Sequence, residues 1–459
     1  MYRPEDILKI NENLDKIKDD ASYEYRKENE PTLYEIAKVC NEIINYIKKK
    51  ERVVYGGYAQ NLLIMSKNKN DPIYKEVDGA FYNWPDLADI EFYSPTPVED
   101  LIELSNHLYS KKFKYVEASE GIHNETFKIF VNFLTYCDIT YIPAHIFNTM
   151  PIIKVNGIKC THPHFMMVDA YRIFTDPMTS YWRLDKTITR FQKIFKYFTI
   201  DQSNNNKKLE MIQTNETDDF IRKNIIHNSK LIIVGFYGFD YYVKKSIEKY
   251  SLNKFPYYEL ISTDLKSDAN KIYKLLKNKF GEKIKVKEFF PFFQFIDKRI
   301  EFYYNGTLFL RLFGNNERCI VYNYSEAKLT NFGTYNLVMM YLYFDYYLAF
   351  VNKDKSNTNL YHTLIGKLYH VRVKFLDDNI LTVVDDTPFK DFTNKCYGIQ
   401  IEMKRTERLE LLKKKEQQKP FKYRYTPTDK IVKVPKFIFN NTSGNEISNT
   451  KYKIIKNKK

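Results

Sequence analysis

Apolar residues recur at helical spacing through the first fifty positions. After Pro31-Thr32, the residues Leu33, Ile36, Ala37, Cys40, Ile43, Ile44 and Ile47 share one face and predict a second helix behind an initial one. The period then shortens. Val53-Val54-Tyr55 reads as a strand, Gly56-Gly57 as a turn and 58–65 as the start of a helix. A polar loop is expected from Lys67 to about Asn83, then a strand over 88–93 and an amphipathic helix over 97–110. A further strand is expected over 136–142 and a helix over 163–174. Strands alternating with helices predict an α/β fold of the α+β kind, with a mixed sheet.

Residues 201–219, rich in Asn, Gln, Lys and Thr, read as a linker, and beyond them the pattern starts again. Lys230-Leu-Ile-Ile-Val-Gly235 echoes Glu51-Arg-Val-Val-Tyr-Gly56. Glu259-Leu-Ile-Ser262 echoes Glu91-Phe-Tyr-Ser94, and Leu308-Phe-Leu-Arg311-Leu echoes Thr135-Tyr-Cys-Asp138-Ile. The helix at 335–350 echoes the one near 165–174. The offsets of 179, 168, 173 and 170 drift as loops of unequal length require. They predict a diverged internal duplication; chance similarity of two α/β segments is the alternative. The division expected is N-terminal helices 1–50, a first α/β domain 51–200, a linker 201–220, a second domain 221–402 and a tail 403–459. The apolar run 337–351 contains Asp345 and is too short to span a bilayer, so it is expected as a buried helix, with no membrane association.

Length agrees with more than one core, since 459 residues exceed what one core holds. The five cysteines, Cys40, Cys137, Cys160, Cys319 and Cys396, lie far apart at no metal-ligand spacing. They are expected as reduced core thiols in a cytosolic compartment, and the polar N-terminus carries no signal peptide. Charge is unevenly placed. Residues 403–459 hold 17 Lys+Arg against 5 Asp+Glu, a balance of +12, which leaves +3 of the total +15 for everything before them. Such a tail suits a polyanionic partner, or is a solvated terminus of a Lys-rich chain.

The chemistry centres on acids. Asp89 and Glu91 stand at i and i+2 of an expected strand with apolar neighbours, so both carboxylates face one way. Asp138 lies in a second expected strand and reaches the same spot if the two strands are neighbours. Three carboxylates so placed suit two-metal phosphoryl or nucleotidyl transfer; a strand edge facing solvent is the alternative. Gly56-Gly57 ends a strand and opens a helix, where main-chain N–H groups can approach phosphate. No G-x-x-x-x-G-K-[ST] and no G-x-G-x-x-G is present, which excludes the Walker and dinucleotide patterns.

The order strand, Gly-Gly, helix, D-x-E strand, helix, Asp strand resembles the polymerase-β-type nucleotidyltransferase superfamily. Val-Val-Tyr-Gly56-Gly57-Tyr-Ala-Gln-Asn-Leu, Leu-Ala-Asp89-Ile-Glu91-Phe-Tyr-Ser94, Tyr-Cys-Asp138-Ile-Thr and the run from Asp169 to Lys186 are similar to the poly(A) polymerase catalytic subunits of large cytoplasmic DNA viruses, of the poxvirus and giant-virus type. The resemblance is carried by residues 50–190. It implies two nucleotidyltransferase-like domains, the second degenerate. It implies a template-independent enzyme adding AMP from ATP to RNA 3′ ends, with Asp89 and Glu91 as ligands of two Mg²⁺ (or Mn²⁺) ions and Asp138 as ligand of the one that activates the primer hydroxyl. Gly56, Gly57 and Tyr58 are implied at the triphosphate, although many relatives of the superfamily have Ser at the position of Tyr58. It also implies work in the host cytoplasm or packaging in the virion, as a homodimer or with a separate processivity subunit.

In the second copy Tyr257 stands for Asp89 and Arg311 for Asp138, with only Glu259 kept; a basic residue at a ligand position predicts a catalytically dead domain. Arg172, Arg183 and Lys186 suit triphosphate oxygens, or form a solvated helix face. Tyr181 and Trp182 suit base stacking. His162-Pro-His164 lacks further ligands and is read as a helix cap. In the tail, Lys413, Lys414, Lys415, Lys422 and Arg424 interleave with aromatics as single-stranded RNA binding requires, and the Lys run equally suits the end of a charged helix. A transferase for another nucleotide, or a non-catalytic RNA-binding or processivity protein on the same fold, are the competing readings.

Overall fold

The structure is a computed structural model of the full chain. It describes residues 2–29, 31–77, 80–83, 86–87, 89–121, 125–176, 180–199, 215–227, 229–246, 255–293, 295–315, 320–393 and 396–397. In the tail it describes 407, 409–410, 413–414, 423–428, 437, 439 and 442–447. Two compact units form. One comprises Met1–Tyr141, Ile152–Thr161 and Phe421–Phe437; the other comprises Ile142–Pro151, His162–Pro420 and Ile438–Lys459.

The first unit begins with the helices Pro4–Asn29 and Leu33–Lys49. The second helix opens on a capping box. Thr32 Oγ1 accepts from the Glu35 N–H at 3.3 Å, and the Glu35 carboxylate accepts from the Thr32 N–H at 2.9 Å. Its strands are β1 (Val53–Tyr55), β2 (Lys75–Val77), β3 (Ala80–Asn83), β4 (Asp86–Leu87), β5 (Ile90–Ser94), β6 (Glu117–Glu120), β7 (Thr126–Val131), β8 (Leu134–Tyr141), β9 (Ile152–Val155) and β10 (Ile158–Thr161). The expected polar loop at 67–83 is instead the start of a three-stranded antiparallel sheet, β2-β3-β4. The main sheet runs β6-β7-β8-β5-β1-β10-β9, mixed as expected, with β5–β8 and β1–β10 parallel.

One row of alternate positions is sealed. Val54, Ile90, Phe92, Phe127, Cys137 and Ile139 are at most 1% exposed. The helices Leu33–Lys49 and Pro97–Ser110 pack together and against β7 and β8. A buried carboxylate ties them to the start of β1. Asp100 accepts from Arg52 Nε and Nη2 at 2.7 and 3.0 Å and from the Tyr46 hydroxyl at 2.8 Å.

The second unit repeats the plan with β11 (Ile232–Val234), β12 (Tyr258–Ser262), β13 (Ile284–Phe289), β14 (Arg299–Tyr304), β15 (Thr307–Gly314), β16 (Ile320–Ser325), β17 (Thr330–Gly333) and β18 (Cys396–Tyr397). Its order β13-β14-β15-β12-β11-β17-β16 matches the first sheet strand for strand, with the same parallel and antiparallel senses. The ladder between β7 and β8 slips at Ile129/Phe130, and the one between β14 and β15 slips at the corresponding Phe302/Tyr303. The duplication is therefore visible as topology. The register corrects one offset: the helices Pro163–Phe174 and Tyr335–Val351 correspond through their first residues, two positions from the sequence alignment.

Tyr335–Val351 is apolar on every side and almost wholly buried, as expected, and no described helix is long and apolar enough to cross a membrane. The helix Pro163–Phe174 belongs to this unit rather than to the first α/β domain, because it lies along Tyr335–Val351 with Phe165 edge-on to Tyr347 and Tyr171 stacked on Tyr343. His162 caps that helix, its Nδ1 accepting from the His164 N–H at 3.2 Å. Residues 201–214 of the expected linker lie outside the described residues, and a helix, Asn215–Ile221, occupies its end.

Two further expectations change. Cys40, Cys137 and Cys160 are free and buried, but Cys396 is in a disulfide. Its strand β18 pairs with β16, a neighbourhood that spacing along the chain cannot reveal. The tail is not one appendage. Arg424–Tyr425 forms β19, antiparallel to β6 at the edge of the first sheet, while residues 444–447 bond to 288–291 beside β13.

Asp100→Ala removes the buried carboxylate that Arg52 and Tyr46 both donate to and is expected to cost about 3–5 kcal/mol in urea unfolding. A second expectation concerns pH. Burial and neighbouring rings push His162 down to about 4 and His164 down to about 3, from an ordinary 6.5. The unfolded chain therefore binds these protons first, so stability is full above about 6.5 and declines as pH falls towards 4 and 3. His164→Phe should flatten that decline in thermal melts between pH 7 and 4.5.

Candidate active site

The glycine pair does not form a separate turn; Gly56 and Gly57 are already the first residues of the helix Gly56–Lys67. Gly56 takes φ +64°, and a Cβ there would stand 1.8 Å from Glu91 Oε2. No side chain fits, so Glu91 can lie over the start of the helix. Its Oε2 accepts from the Gly57 N–H at 3.1 Å. The carboxylate thus rests on the partial positive charge of a helix N-terminus, a place equally suited to phosphate. Tyr58 is 4% exposed, its ring in the core, so what it offers a ligand is the main-chain N–H of the first turn.

Register lines up the chemistry. Tyr55 pairs with Glu91, Glu91 with Asp138, Asp138 with Lys128, Lys128 with Ser119 and Ser119 with Arg424. Directly paired residues share a face of the sheet. This row therefore crosses six strands on the half-open face, opposite the sealed positions. Lys128 Nζ donates to both Asp138 oxygens, at 2.7 and 2.9 Å. Beside the acids Tyr55 stacks on Tyr93 at 4.0 Å between centroids and bonds Thr140 at 2.7 Å, and Thr140 bonds Thr126 at 3.1 Å. Burial first, then the charge of Glu91, holds the Tyr55 phenol well above its ordinary range, so it stays protonated.

Asp89 is not on the strand. It is exposed and sits just before β5, because the ladder with β8 begins only at Ile90–Cys137. It still precedes Glu91 by two residues at the same sheet end. Among the described residues no group of three His, Cys, Asp or Glu is arranged to hold a metal. The side-chain directions explain this: Glu91 leans on Gly57, and Asp138 is engaged by Lys128. The donor set nonetheless fits a hard divalent ion. Carboxylates on strands about 4.8 Å apart are what such an ion uses, and an ammonium already sits on one of them as a cation of the wrong kind.

The second sheet shows the same positions differently filled. Gly235 takes φ +59°, and a Cβ there would stand 1.9 Å from Glu259 Oε2. Glu259 pairs with Arg311, and Arg311 with Glu301. Arg311 Nη1 donates to Glu259 at 2.8 Å and Asp345 at 2.7 Å, and its Nε donates to Glu301 at 3.0 Å. Burial and the Asp345 charge raise the Glu259 carboxyl well above its usual range. A guanidinium fills the space between these acids.

Arg172, Arg183 and Lys186 lie in the second unit, and Arg172 donates to Asp169 at 2.5 Å. Tyr181 and Trp182 are 68% and 64% exposed. Lys413 and Lys414 are exposed and helical, while Lys415 and Lys422 lie outside the described residues. Arg424 is exposed and shares the row of the acids. Lys128 was missed because β7 was; a lone Lys inside Thr-Phe-Lys-Ile-Phe-Val was the available signal.

Comparison with known proteins bears on this geometry. Residues 41–180 match the family described as poly(A) polymerase catalytic subunit, and residues 191–457 match the one described as the C-terminal part of the APMV poly(A) polymerase catalytic subunit. The chain is 32% identical over 504 aligned residues to a protein assigned as poly(A) polymerase catalytic subunit in Acanthamoeba polyphaga mimivirus, covering 99% of this chain and 84% of that one. It is 29% identical over 177 residues to the protein so assigned in African swine fever virus, strain Badajoz 1971 Vero-adapted, covering 37% and 35%. The crystal structure of the Megavirus polyadenylate synthase superposes with a TM-score of 0.85 at 30% identity, over 98% of this chain and 94% of that one.

Gly56→Ala should displace Glu91 and strain the helix start. The expected outcome is a loss of about 1–2 kcal/mol in stability and about a hundredfold in whatever turnover the site supports. Gly157→Ala, in a turn remote from the row, controls for backbone strain alone.

Proposed function

This chain belongs to the viral poly(A) polymerase catalytic-subunit family and is a transferase that polyadenylates RNA with ATP, and we propose that Asp89, Glu91 and Asp138 carry the reaction. The observation behind this is the register that sets Glu91 and Asp138 side by side, next to a glycine-opened helix N-terminus.

Two divalent ions held by Asp89, Glu91 and Asp138 would supply an activated primer 3′-oxygen and neutralise charge on the leaving pyrophosphate. The chain's own part is positioning. The N–H groups of Gly56, Gly57 and Tyr58 point out of the first helical turn and suit triphosphate oxygens. A phosphate there takes the Gly57 N–H from Glu91 and frees that carboxylate for a cation. The Tyr55–Thr140–Thr126 chain holds the floor beneath the acids with a protonated phenol. Arg424 offers a cation three strands from Asp138 along the row, a reach of about 14 Å, and suits the backbone of the primer two nucleotides back. The exposed Lys413 and Lys414 suit the phosphates of RNA.

The second sheet is read as non-catalytic: Arg311 repels any divalent ion from Glu259. Arg172, Arg183 and Lys186 remain candidates for the triphosphate. On this reading the enzyme works in the host cytoplasm or travels in the virion. Its relatives are described as catalytic subunits, so a processivity subunit is a partner to look for beside a homodimer.

Primer-extension assays with RNA and each nucleoside triphosphate test this. Glu91→Gln and Asp138→Asn should each lower AMP incorporation at least about a hundredfold while leaving the fold intact. Preferential use of UTP would reject adenylate transfer, and unchanged activity of Asp138→Asn would reject the site. Arg424→Ala should lower RNA affinity and reduce its log–log salt slope by about one.

A further inference from the structure

Resting on the reading that Glu91 and Asp138 bind a divalent ion, we propose that the Lys128 ammonium is a built-in exchangeable cation: it holds the metal's place on Asp138 and must leave for the ion to bind.

Contact geometry is the first support. Lys128 Nζ engages both oxygens of Asp138, at 2.7 and 2.9 Å, so an ion binding either oxygen meets the ammonium's charge at close range. Position is the second. Asp138 lies in the row between Glu91 on one strand and Lys128 on the next. Two carboxylates one strand apart repel, and side chains that are 16% and 28% exposed at Asp138 and Lys128 are only partly screened by water. The ammonium offsets that repulsion.

The third support is independent and comes from the second sheet. The positions of Lys128 and Asp138 are there taken by Glu301 and Arg311, bonded at 3.0 Å. The pair is kept and its polarity is reversed. The reversal changes what kind of cation faces the neighbouring glutamate. Arg311 is planar, permanently charged and bound by three carboxylates, so it is fixed between them. Lys128 is a point charge on a flexible four-carbon stem with one carboxylate partner among the hydrogen bonds described. One sheet carries a cation that can be exchanged; the other carries one that cannot.

Mn²⁺ binding to the full-length protein, followed by the electron paramagnetic resonance of free Mn²⁺, tests this with no need for turnover. Lys128→Met keeps the stem and removes the charge. It should bind Mn²⁺ about tenfold more tightly than the unsubstituted protein. It should melt lower without Mn²⁺ and show a larger rise on adding it. Asp138→Asn and Glu91→Gln separate the two ideas. If they bind Mn²⁺ as well as the unsubstituted protein, the carboxylate site itself is misassigned, and the role of Lys128 falls with it. If they lose Mn²⁺ while Lys128→Met binds it equally or more weakly, the site stands and the exchange is overturned. A charge swap gives the second readout: Lys128→Glu with Asp138→Arg should melt above either single change, as the second sheet implies. A double variant no better than the worse single one would show the pair to be inconsequential and would also overturn the proposal.

Discussion

Two carboxylates held on adjacent strands are an electrostatic liability, and the first sheet is built around managing it. Glu91 is offset by the N-terminus of the helix Gly56–Lys67, and Asp138 by Lys128. Each device depends on something local. The helix end is reachable only because Gly56 has no side chain, and the ammonium is in place only because β7 pairs with β8 before their register slips at Ile129. Strand order then does the remaining work by setting β5 beside β8.

The second sheet shows how little must change to reverse the chemistry. Strand order, the positive-φ glycine and the glutamate over it are all retained. The charges at two paired positions are exchanged, Tyr257 stands where the first copy has Asp89, and a carboxylate from the helix Tyr335–Val351 is added. The consequence is a buried network whose guanidinium is held too firmly to be displaced. Buried ion networks of this kind add little net stability over apolar packing, yet breaking one is costly.

Much of this was legible in the chain, in physical terms. The capping box at Thr32, the Pro-initiated helices and the apolar helix at 335–351 are local signals that tertiary packing did not override. The carboxylates and the glycine pair were visible because acids are rare in apolar strands and adjacent glycines rare in this chain. What escaped were the short hairpin strands. Asn156-Gly157 and Asn305-Gly306, both at positive φ, are turns a two-residue hairpin demands, and they were there to be read. The turn Asn132-Phe133 was not, since a phenylalanine at φ +66° is a conformation no propensity announces. Losing β7 meant losing Lys128. The long-range pairings, β18 on β16 and β19 on β6, and the disulfide at Cys396 leave no local trace at all.

The strand β19 has a temporal meaning. It is drawn from residues 424–425, yet it completes the edge of a sheet whose other strands all precede residue 162. A ribosome emits the chain from its N-terminus, so β6 waits with an open edge until residue 425 has emerged. Chains that stop short of residue 425 therefore present a hydrogen-bonding template to one another, and synthesis past that point caps it. The first unit is thereby completed by a segment made long after its other strands, which makes that distant stretch a checkpoint on the earlier one.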